Sequence, residues 1–182
     1  RICIPSAARV CCNFPETMEH LPPQKAVLSG SPIRKELLEG NKEAALKFTG
    51  LTTDKPILMM MGGSTGSRII NETLRSILPD LLKDFQVIHL CGKGNIDPSL
   101  EQDGYRQYEY ISKELKDLFA AADLVLSRAG ANAICELLAL KKPHILVPLS
   151  AAVSRGDQIL NAESFRKQGF SYVLQEEEMD QT

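Results

Sequence analysis

The sequence predicts an α/β fold with a Rossmann-like, mostly parallel sheet that carries helices on both faces. Short apolar runs alternate with segments of helical spacing about six times along the 182 residues, which is typical of right-handed strand–helix–strand units. The run "ILMMM" at residues 57–61 is continuously apolar, which indicates a strand buried on both faces. We therefore expect ligand-binding residues in the loops after the strands, at the carboxyl edge of the sheet.

The first half of the chain is predicted to contain three strands and two helices. The strands are predicted at residues 9–14, 25–30 and 57–61, and the helices over residues 41–48 and 67–83. Pro79 is expected to kink or shorten the second helix, because proline lacks a backbone N–H and its ring disturbs the preceding turn.

The second half continues the alternation. Strands are predicted at residues 85–90, 105–111, 123–127, 143–149 and 171–174, and helices over residues 112–122, 130–140 and 154–169. Ser112 is expected to cap the first of these helices, and Gly169 is expected to end the last one. The run "QEEEMD" at residues 175–180 is expected to be a solvated face or loop.

Composition excludes several classes of function. The formal net charge of −2 argues against a surface that binds polyanions, and therefore against nucleic acid as a partner. No apolar stretch reaches the roughly 20 residues of a membrane span. The five cysteines form no C-x-x-C pair, which indicates a reduced, cytosolic chain with buried thiols. His20, His89 and His144 are isolated in sequence, so we expect structural histidines and no metal site.

The loop "GGSTGS" at residues 62–67 is a candidate anion site. Gly62 and Gly63 permit positive φ and a close approach to a ligand. Ser64 and Thr65 offer hydroxyl groups, and the following helix directs its free N–H groups to the same place. An ordinary strand-to-helix turn explains the two glycines about as well. The spacing matches neither G-x-G-x-x-G nor the P-loop, which removes the two commonest phosphate motifs.

The loop "SRAGANAICE" at residues 127–136 also follows a strand and opens a helix. Gly130 and Ala131 leave the backbone approachable, and Asn132 is placed to cap the helix or to bond a ligand. A carboxylate such as Glu136 accepts two hydrogen bonds from a ribose diol. The alternative is a surface glutamate favoured by the helix dipole, and the residues alone favour that alternative.

A third loop precedes the last predicted helix. Asp157 and Gln158 follow the strand "HILVPL" and begin that helix. Both side chains are able to hydrogen-bond sugar hydroxyls, although helix capping explains Asp157 equally well.

Several segments together resemble the carboxyl-terminal half of the MurG family, the UDP-N-acetylglucosamine transferases of bacterial peptidoglycan synthesis. The segments are "GGSTGSRIIN", "HLCGKGN", "ADLVLSRAGANAICELLALKKPHILVPL" and "DQILNA", and the earlier "SGSPIRKEL" resembles the family's G-N-P-x-R segment. They occur in the family's order and cover nearly the whole chain. Several motifs in register are more specific than any one of them.

The resemblance implies a GT-B fold and an inverting transfer of N-acetylglucosamine from UDP-N-acetylglucosamine to undecaprenyl-diphosphate-muramyl-pentapeptide, lipid I, which gives lipid II. In the family the carboxyl-terminal half binds the donor. The amino-terminal half binds the acceptor at the cytoplasmic face of the membrane. Residues 1–24 are then expected to be a strand and linker of the interdomain region, and residues 25–182 a donor-binding domain truncated at both ends. Such a fragment is expected to bind UDP-sugar without turnover.

The resemblance also implies roles for individual residues. The diphosphate is assigned to Arg34, Gly62, Gly63 and Ser64, the uracil to the backbone of Ile111, the second helix terminus to Ala131, Asn132 and Ala133, the ribose to Glu136, and the sugar hydroxyls to Asp157 and Gln158. Thr65 and Gly130 are candidates from the chemistry of their own loops. It implies no catalytic base in this part of the chain, no metal and no other cofactor. The chain departs from the commoner family residues at Asn132, Ala133 and Asp157, and "GGSTGS" replaces the commoner "GGSQGA".

Two alternatives stay open at this point. The chain fits a non-catalytic donor-binding subunit of a split glycosyltransferase that works with a membrane-bound partner. It also fits a related UDP-sugar enzyme, such as a diacylglycerol glycosyltransferase or UDP-N-acetylglucosamine 2-epimerase.

Overall fold

A parallel sheet of six strands is the centre of the computed structural model, which describes residues 3–63 and 65–181. Its strand order is β5-β4-β3-β6-β7-β8, and every pairing is parallel. This is the order of the doubly wound Rossmann sheet, with its topological switch point between β3 and β6. The strands are β3 (Ile57–Met61), β4 (Gln86–Leu90), β5 (Tyr105–Tyr108), β6 (Leu124–Arg128), β7 (His144–Val147) and β8 (Tyr172–Val173).

Helices cover both faces of this sheet, as predicted. Met59 packs with one core cluster, whereas Leu58 and Met60 pack with the other, so β3 is buried on both sides. Helices α2, α5, α6 and α7 contribute to the first cluster, and α3 and α4 to the second. Their bounds are α2 (Lys42–Thr49), α3 (Arg68–Ser76), α4 (Leu78–Asp84), α5 (Leu115–Ala121), α6 (Ala131–Ala139) and α7 (Asp157–Lys167).

Two predicted helices begin or end differently from expectation. The helix over residues 67–83 is interrupted at Ile77, and Pro79 lies in the first turn of α4, where its missing N–H costs no intrahelical bond. The prediction that Ser112 caps α5 is wrong. The helix begins three residues later, after Glu114, because a turn intervenes in which Ser112 accepts a main-chain bond from Leu115 at 3.4 Å.

The end of α7 follows the prediction for Gly169. Its φ is +75°, and its N–H donates to Arg166 O at 3.0 Å. The N–H of Phe170 donates to Phe165 O at 2.9 Å, and the two rings pack edge to face with centroids 5.8 Å apart. This is the Schellman arrangement with its hydrophobic contact, and it directs the chain into β8.

The expectation of a solvated acidic run at the end of the chain holds for Glu177 and Glu178, which are exposed, but not for the run as a whole. Residues Glu176–Gln181 form a 3-10 helix. Glu176 and Met179 are buried, because this turn packs on the sheet face that carries α3. One side of this turn is therefore anchored in the core.

A separate two-stranded parallel sheet precedes the domain. It pairs β1 (Val10–Cys12) with β2 (Ala26–Leu28), and the short helix α1 (Pro15–Met18) lies between them. Phe14 contacts Phe165 of α7 edge to face at 6.1 Å, and Ser164 Oγ donates to Glu16 Oε2 at 2.9 Å. The predicted division at residues 24 and 25 lies between these paired strands and stays a prediction.

The expectation that the cysteine thiols are buried holds for only some of them. Cys12 and Cys91 are buried, whereas Cys3 and Cys11 are exposed. Neighbouring strand residues face opposite sides, so the burial of Cys12 leaves Cys11 in solvent.

His89 has a structural role. Its Nε2 bonds Asn71 Oδ1 at 2.9 Å and its Nδ1 bonds the Tyr105 hydroxyl at 2.6 Å, while Asn71 Nδ2 donates to Cys91 O at 2.9 Å. Burial, assisted by the charge of Arg75, lowers the pKa of His89 to about 3. The neutral imidazole therefore ties α3 to β4 and β5.

His144 is held in a similar way. Its ring bonds Lys142 O at 2.6 Å and Ser171 Oγ at 2.5 Å, and burial lowers its pKa. Within residues 3–63 and 65–181, no group of three or more His, Cys, Asp or Glu side chains is arranged to hold a metal ion. In the same part of the chain, no helix is long and apolar enough to cross a membrane.

Candidate functional site

Two adjoining cavities open at the carboxyl edge of the sheet, above the switch point between β3 and β6. The α3 cavity, beside the start of α3, has a volume of about 700 Å³, and the α6 cavity, beside the start of α6, has a volume of about 650 Å³. Both are lined by Met61, Gly63, Gly130 and Ala133. Together they form one groove across the switch point, where open α/β sheets bind ligands.

The groove brings most of the predicted residues together. The α3 cavity is lined by Gly62, Gly63, Thr65, Gly130 and Gln158. The α6 cavity is lined by Arg34, Gly63, Ile111, Gly130, Ala131, Asn132, Ala133 and Glu136. Ser64 lies outside the described residues. Asp157 lines neither cavity; it faces a smaller one between α1 and α7.

The loop before α3 contains glycines of two kinds. A Cβ on Gly66 would overlap Cys91 O, and one on Gly62 would lie 2.6 Å from Ser67 N, so both positions are tightly packed. Gly63 instead has a φ of +88°, and no atom of the described residues beyond its chain neighbours lies within 4 Å of where its Cβ would be. Gly62 and Gly66 therefore shape the loop, whereas Gly63 leaves the groove open above its backbone.

The start of α6 presents unpaired backbone donors to the groove. Gly130 is the N-cap and supplies no side-chain cap, so the N–H groups of Ala131, Asn132 and Ala133 lack intrahelical partners. Among residues 3–63 and 65–181, no atom beyond those of its chain neighbours lies within 4 Å of a Cβ built on Gly130. Asn132 lies at the second helical position and is exposed, so it does not cap the helix. The positive end of the α6 dipole therefore faces open space.

Helix α3 begins at the same edge of the sheet. Met61 of β3 pairs in register with Ser127 of β6, so the two strands end at the same level and the helices that follow them begin side by side. Ser67 caps α3 by accepting from Ile70 N at 3.5 Å. Two helix N-termini at one groove form a favourable environment for an anion.

Glu136 and Arg34 contact each other directly, which the sequence did not predict. Arg34 Nε donates to Glu136 Oε1 at 3.1 Å, although the residues are 102 positions apart. The Glu136 side chain is 16% exposed and that of Arg34 is 48% exposed. The resemblance assigned one residue to ribose and the other to phosphate, and the structure brings both to the wall of the α6 cavity.

Ile111 offers its main chain to the α6 cavity. It follows β5 without belonging to a helix or strand. Among the described residues, none forms a hydrogen bond with its N–H or C=O. Its side chain packs against the core, which fixes the backbone in place. A flat ligand with alternating acceptors and donors, such as a pyrimidine, would find both partners here.

Asp157 and Gln158 behave differently although they are neighbours on α7. Gln158 Oε1 accepts from Leu149 N at 3.3 Å, so a ligand in the α3 cavity would meet the donor end of the amide. Asp157 is exposed at the first position of the helix, and Gly156 before it is the N-cap. The two side chains line different cavities, because successive helical residues point about 100° apart, and the assignment of Asp157 to sugar hydroxyls stays a prediction.

A buried ion pair in the wall of the α3 cavity was not predicted from the sequence. Arg128 Nη2 donates to Glu176 Oε1 at 2.5 Å and to Ser67 Oγ at 2.6 Å. Glu176 Oε2 accepts from Ser150 N at 2.9 Å. The sequence does indicate that Arg128 has a buried partner, because an arginine at the end of an apolar buried strand requires one. Nothing local identified Glu176 as that partner.

Residues 57–182 match the glycosyltransferase family 28 C-terminal domain. The chain belongs to this family. It is 67% identical over 178 residues to the UDP-N-acetylglucosamine--N-acetylmuramyl-(pentapeptide) pyrophosphoryl-undecaprenol N-acetylglucosamine transferase of Lachnoclostridium phytofermentans, covering 97% of this chain and 50% of that protein. It is 62% identical to the transferase of the same name from Lachnospira eligens, covering 99% and 51%. The chain spans about half the length of the curated relatives it matches.

Solved structures agree with this family. The chain superimposes on the MurG of Acinetobacter baumannii with a TM-score of 0.66 at 25% identity, over 93% of this chain and 46% of that one. It superimposes on the glycosyltransferase of kitacinnamycin with a TM-score of 0.68 at 16% identity, over 93% and 43%, which shows a shared fold alone. The domain has the Rossmann-like architecture of the carboxyl-terminal half of a GT-B glycosyltransferase.

Proposed function

We propose that this chain is the donor-binding domain of an inverting glycosyltransferase that moves N-acetylglucosamine from UDP-N-acetylglucosamine to undecaprenyl-diphosphate-muramyl-pentapeptide. The observation that carries the proposal is the groove at the switch point, which combines two helix N-termini with the Glu136 carboxylate and the unpaired main chain of Ile111. The names of the relatives support a transferase that uses this sugar nucleotide rather than an epimerase.

The donor is proposed to lie across both cavities. Uracil bonds the main chain of Ile111, and the ribose diol donates to Glu136, both in the α6 cavity. The diphosphate lies over Gly63 and Gly130, whose missing side chains let it approach the backbone. The sugar then occupies the α3 cavity beside Gln158.

Further contacts in this pose rest on the family resemblance and on lining positions. Ser64 and Thr65 are proposed to supply hydroxyl groups to the diphosphate, together with the guanidinium of Arg34. The N–H groups of Ala131, Asn132 and Ala133 face the same ligand. Asp157 stays outside this set, because it lines a different cavity.

The chemical task of this domain is to stabilise the leaving group. Departure of UDP develops negative charge on the β-phosphate, next to the positive ends of α3 and α6. Fixed N–H groups stabilise that charge without reorganising, and we propose that they do so without a metal ion. Deprotonation of the acceptor hydroxyl is assigned to residues outside this domain.

The whole protein is proposed to work at the cytoplasmic face of the bacterial membrane. The relatives are named for an undecaprenol-linked acceptor, which is a lipid. The acceptor and membrane contacts are assigned to the part of the relatives that this chain does not span. We therefore expect this chain to bind UDP-N-acetylglucosamine and to show no transfer to lipid I by itself.

Titration calorimetry with three sugar nucleotides tests the proposal. UDP-N-acetylglucosamine is expected to bind more tightly than UDP-glucose and UDP-galactose, and chelation of divalent metal is expected to leave its affinity unchanged. Equal affinity for the three would contradict the assigned sugar. Absence of binding, or turnover of lipid I by this chain alone, would contradict the assignment of the domain.

A further inference from the structure

The contact between Arg34 and Glu136 gives Arg34 a second role in the α6 cavity. The 3.1 Å bond uses one N–H of the guanidinium and one oxygen of the carboxylate. Within the described part of the chain, Glu136 Oε2 and the Nη1 and Nη2 groups of Arg34 have no hydrogen-bond partner. A carboxylate has about four acceptor positions, so it accepts Arg34 and a diol together. The two contacts are therefore compatible.

The backbone that carries Arg34 is firmly placed. Leu37 donates its N–H to Arg34 O at 3.0 Å and buries its side chain in the core. Gly40 packs so closely on α5 that a Cβ there would overlap Lys116 O, and Asn41 N donates to Asp117 Oδ1 at 2.8 Å. The guanidinium thus reaches Glu136 from a fixed base, and it limits the rotamers of that carboxylate.

The partial burial of Glu136 explains why its bond to Arg34 is favourable. The Glu136 side chain is only 16% exposed, so its charge has lost much of its hydration and benefits from a nearby cation. Arg34 supplies that cation without closing the cavity, because it is itself half exposed. Without Arg34, a carboxylate at the edge of α6 is free to rotate towards solvent.

We propose that Arg34 is a positioning residue for the nucleoside. It holds the Glu136 carboxylate in the orientation that receives the ribose diol, in addition to its contact with phosphate. This inference rests on the proposed function, since it requires a uridine nucleotide in the α6 cavity. It couples ribose recognition to a residue that the resemblance assigns to the diphosphate alone.

Comparison of UDP with 2′-deoxy-UDP separates the two roles of Arg34. The ratio of their dissociation constants reports the diol contact, whereas a pure phosphate contact affects both ligands equally. We expect a ratio of about tenfold or more for the natural chain, since the lost bond is to a charged group. In Glu136→Gln and in Arg34→Met the ratio is expected to fall to within about threefold, and the double variant is expected to match Glu136→Gln.

Arg166 and Glu163 provide a matched control. They form an exposed Arg–Glu pair at 2.7 Å on α7, and neither lines the groove. Arg166→Met should leave the ratio at its natural value. Circular dichroism checks that each variant keeps its fold.

The outcomes distinguish this inference from the proposed function. If Arg34→Met weakens both ligands equally, or raises the ratio, Arg34 does not position Glu136 and the inference alone is overturned. If the natural chain binds both ligands with equal affinity, the ribose assignment of Glu136 fails and takes the inference with it. If neither ligand binds, the proposed function fails as well.

Discussion

Two Arg–Glu pairs border the groove, and they are built for different purposes. The pair of Arg128 and Glu176 has side chains that are 9% and 11% exposed, and Arg128 Nη2 and both oxygens of Glu176 are hydrogen-bonded to protein groups. The pair of Arg34 and Glu136 is joined by one bond, and its side chains are 48% and 16% exposed. The first pair stabilises the arrangement of the segments around the site, which is called the frame below. The second pair leaves donors and acceptors free for a ligand.

The buried pair links three segments that must meet for the α3 cavity to exist. Arg128 ends β6, Ser67 caps α3, and Glu176 begins the terminal 3-10 turn. Arg128 Nη1 also donates to Val147 O and Pro148 O at 3.3 Å. Arg128 and Glu176 both line the α3 cavity, so this buried ion pair forms part of the cavity wall.

The two pairs are expected to differ most in how far the free energy of unfolding falls when each loses its carboxylate. Glu176→Gln leaves the charge of Arg128 buried without a counter-charge and is expected to lower the free energy of unfolding by about 3–5 kcal/mol. The matched change Glu136→Gln is expected to lower it by less than about 1 kcal/mol, because that pair is partly solvated. Urea denaturation measures both, and equal losses would show that the two pairs do not differ in role.

Gly66 and Gly94, in the loops after β3 and β4, compare a tightly packed glycine with an open one of similar φ. Gly66→Ala places a methyl group against Cys91 O at a φ of +78° and is expected to destabilise the chain by more than about 2 kcal/mol. Gly94 has a similar φ of +74°, and no described residue other than its chain neighbours lies within 4 Å of its Cβ position. Gly94→Ala should therefore show only the cost of the left-handed conformation, about 1–2 kcal/mol. Thermal unfolding that ranked Gly94→Ala as the more damaging change would refute the close packing of the two loops.

Gly130→Ala tests the ligand surface without disturbing the frame. The φ of Gly130 is −68°, which alanine adopts readily, so stability is expected to change by no more than about 1 kcal/mol, the range for an N-cap glycine. The added methyl group enters the space assigned to the diphosphate, and the affinity for UDP is expected to fall about tenfold, or about 1.4 kcal/mol. If calorimetry showed an unchanged affinity for UDP, the diphosphate would not bind at the start of α6.

The fold could largely be predicted from local chemistry. "ILMMM" identified a strand buried on both faces, and Pro79 and Gly169 marked helix boundaries that the structure contains. Ser112 was misleading, because a serine before a helical pattern is compatible with an intervening turn. The candidate loops were found because loops after parallel strands share one edge of the sheet.

The pairings within the site could not be predicted in this way. Arg34 and Glu136 are 102 residues apart, and Arg128 and Glu176 are 48 apart. Each residue alone has several physically reasonable partners, and only the packed sheet selects among them. Closeness in sequence is equally unreliable as a guide to shared sites. Asp157 and Gln158 are adjacent on one helix but line different cavities.

Titration of UDP into the unmodified chain and into Glu136→Ala asks whether the groove between β3 and β6 binds the nucleotide of the donor. We expect one UDP per chain, an affinity loss of about 1–3 kcal/mol in the variant from a lost bond to a charged group, and little change in stability. Binding of UDP with the same affinity to both proteins would contradict this expectation and return Glu136 to the status of an ordinary surface residue.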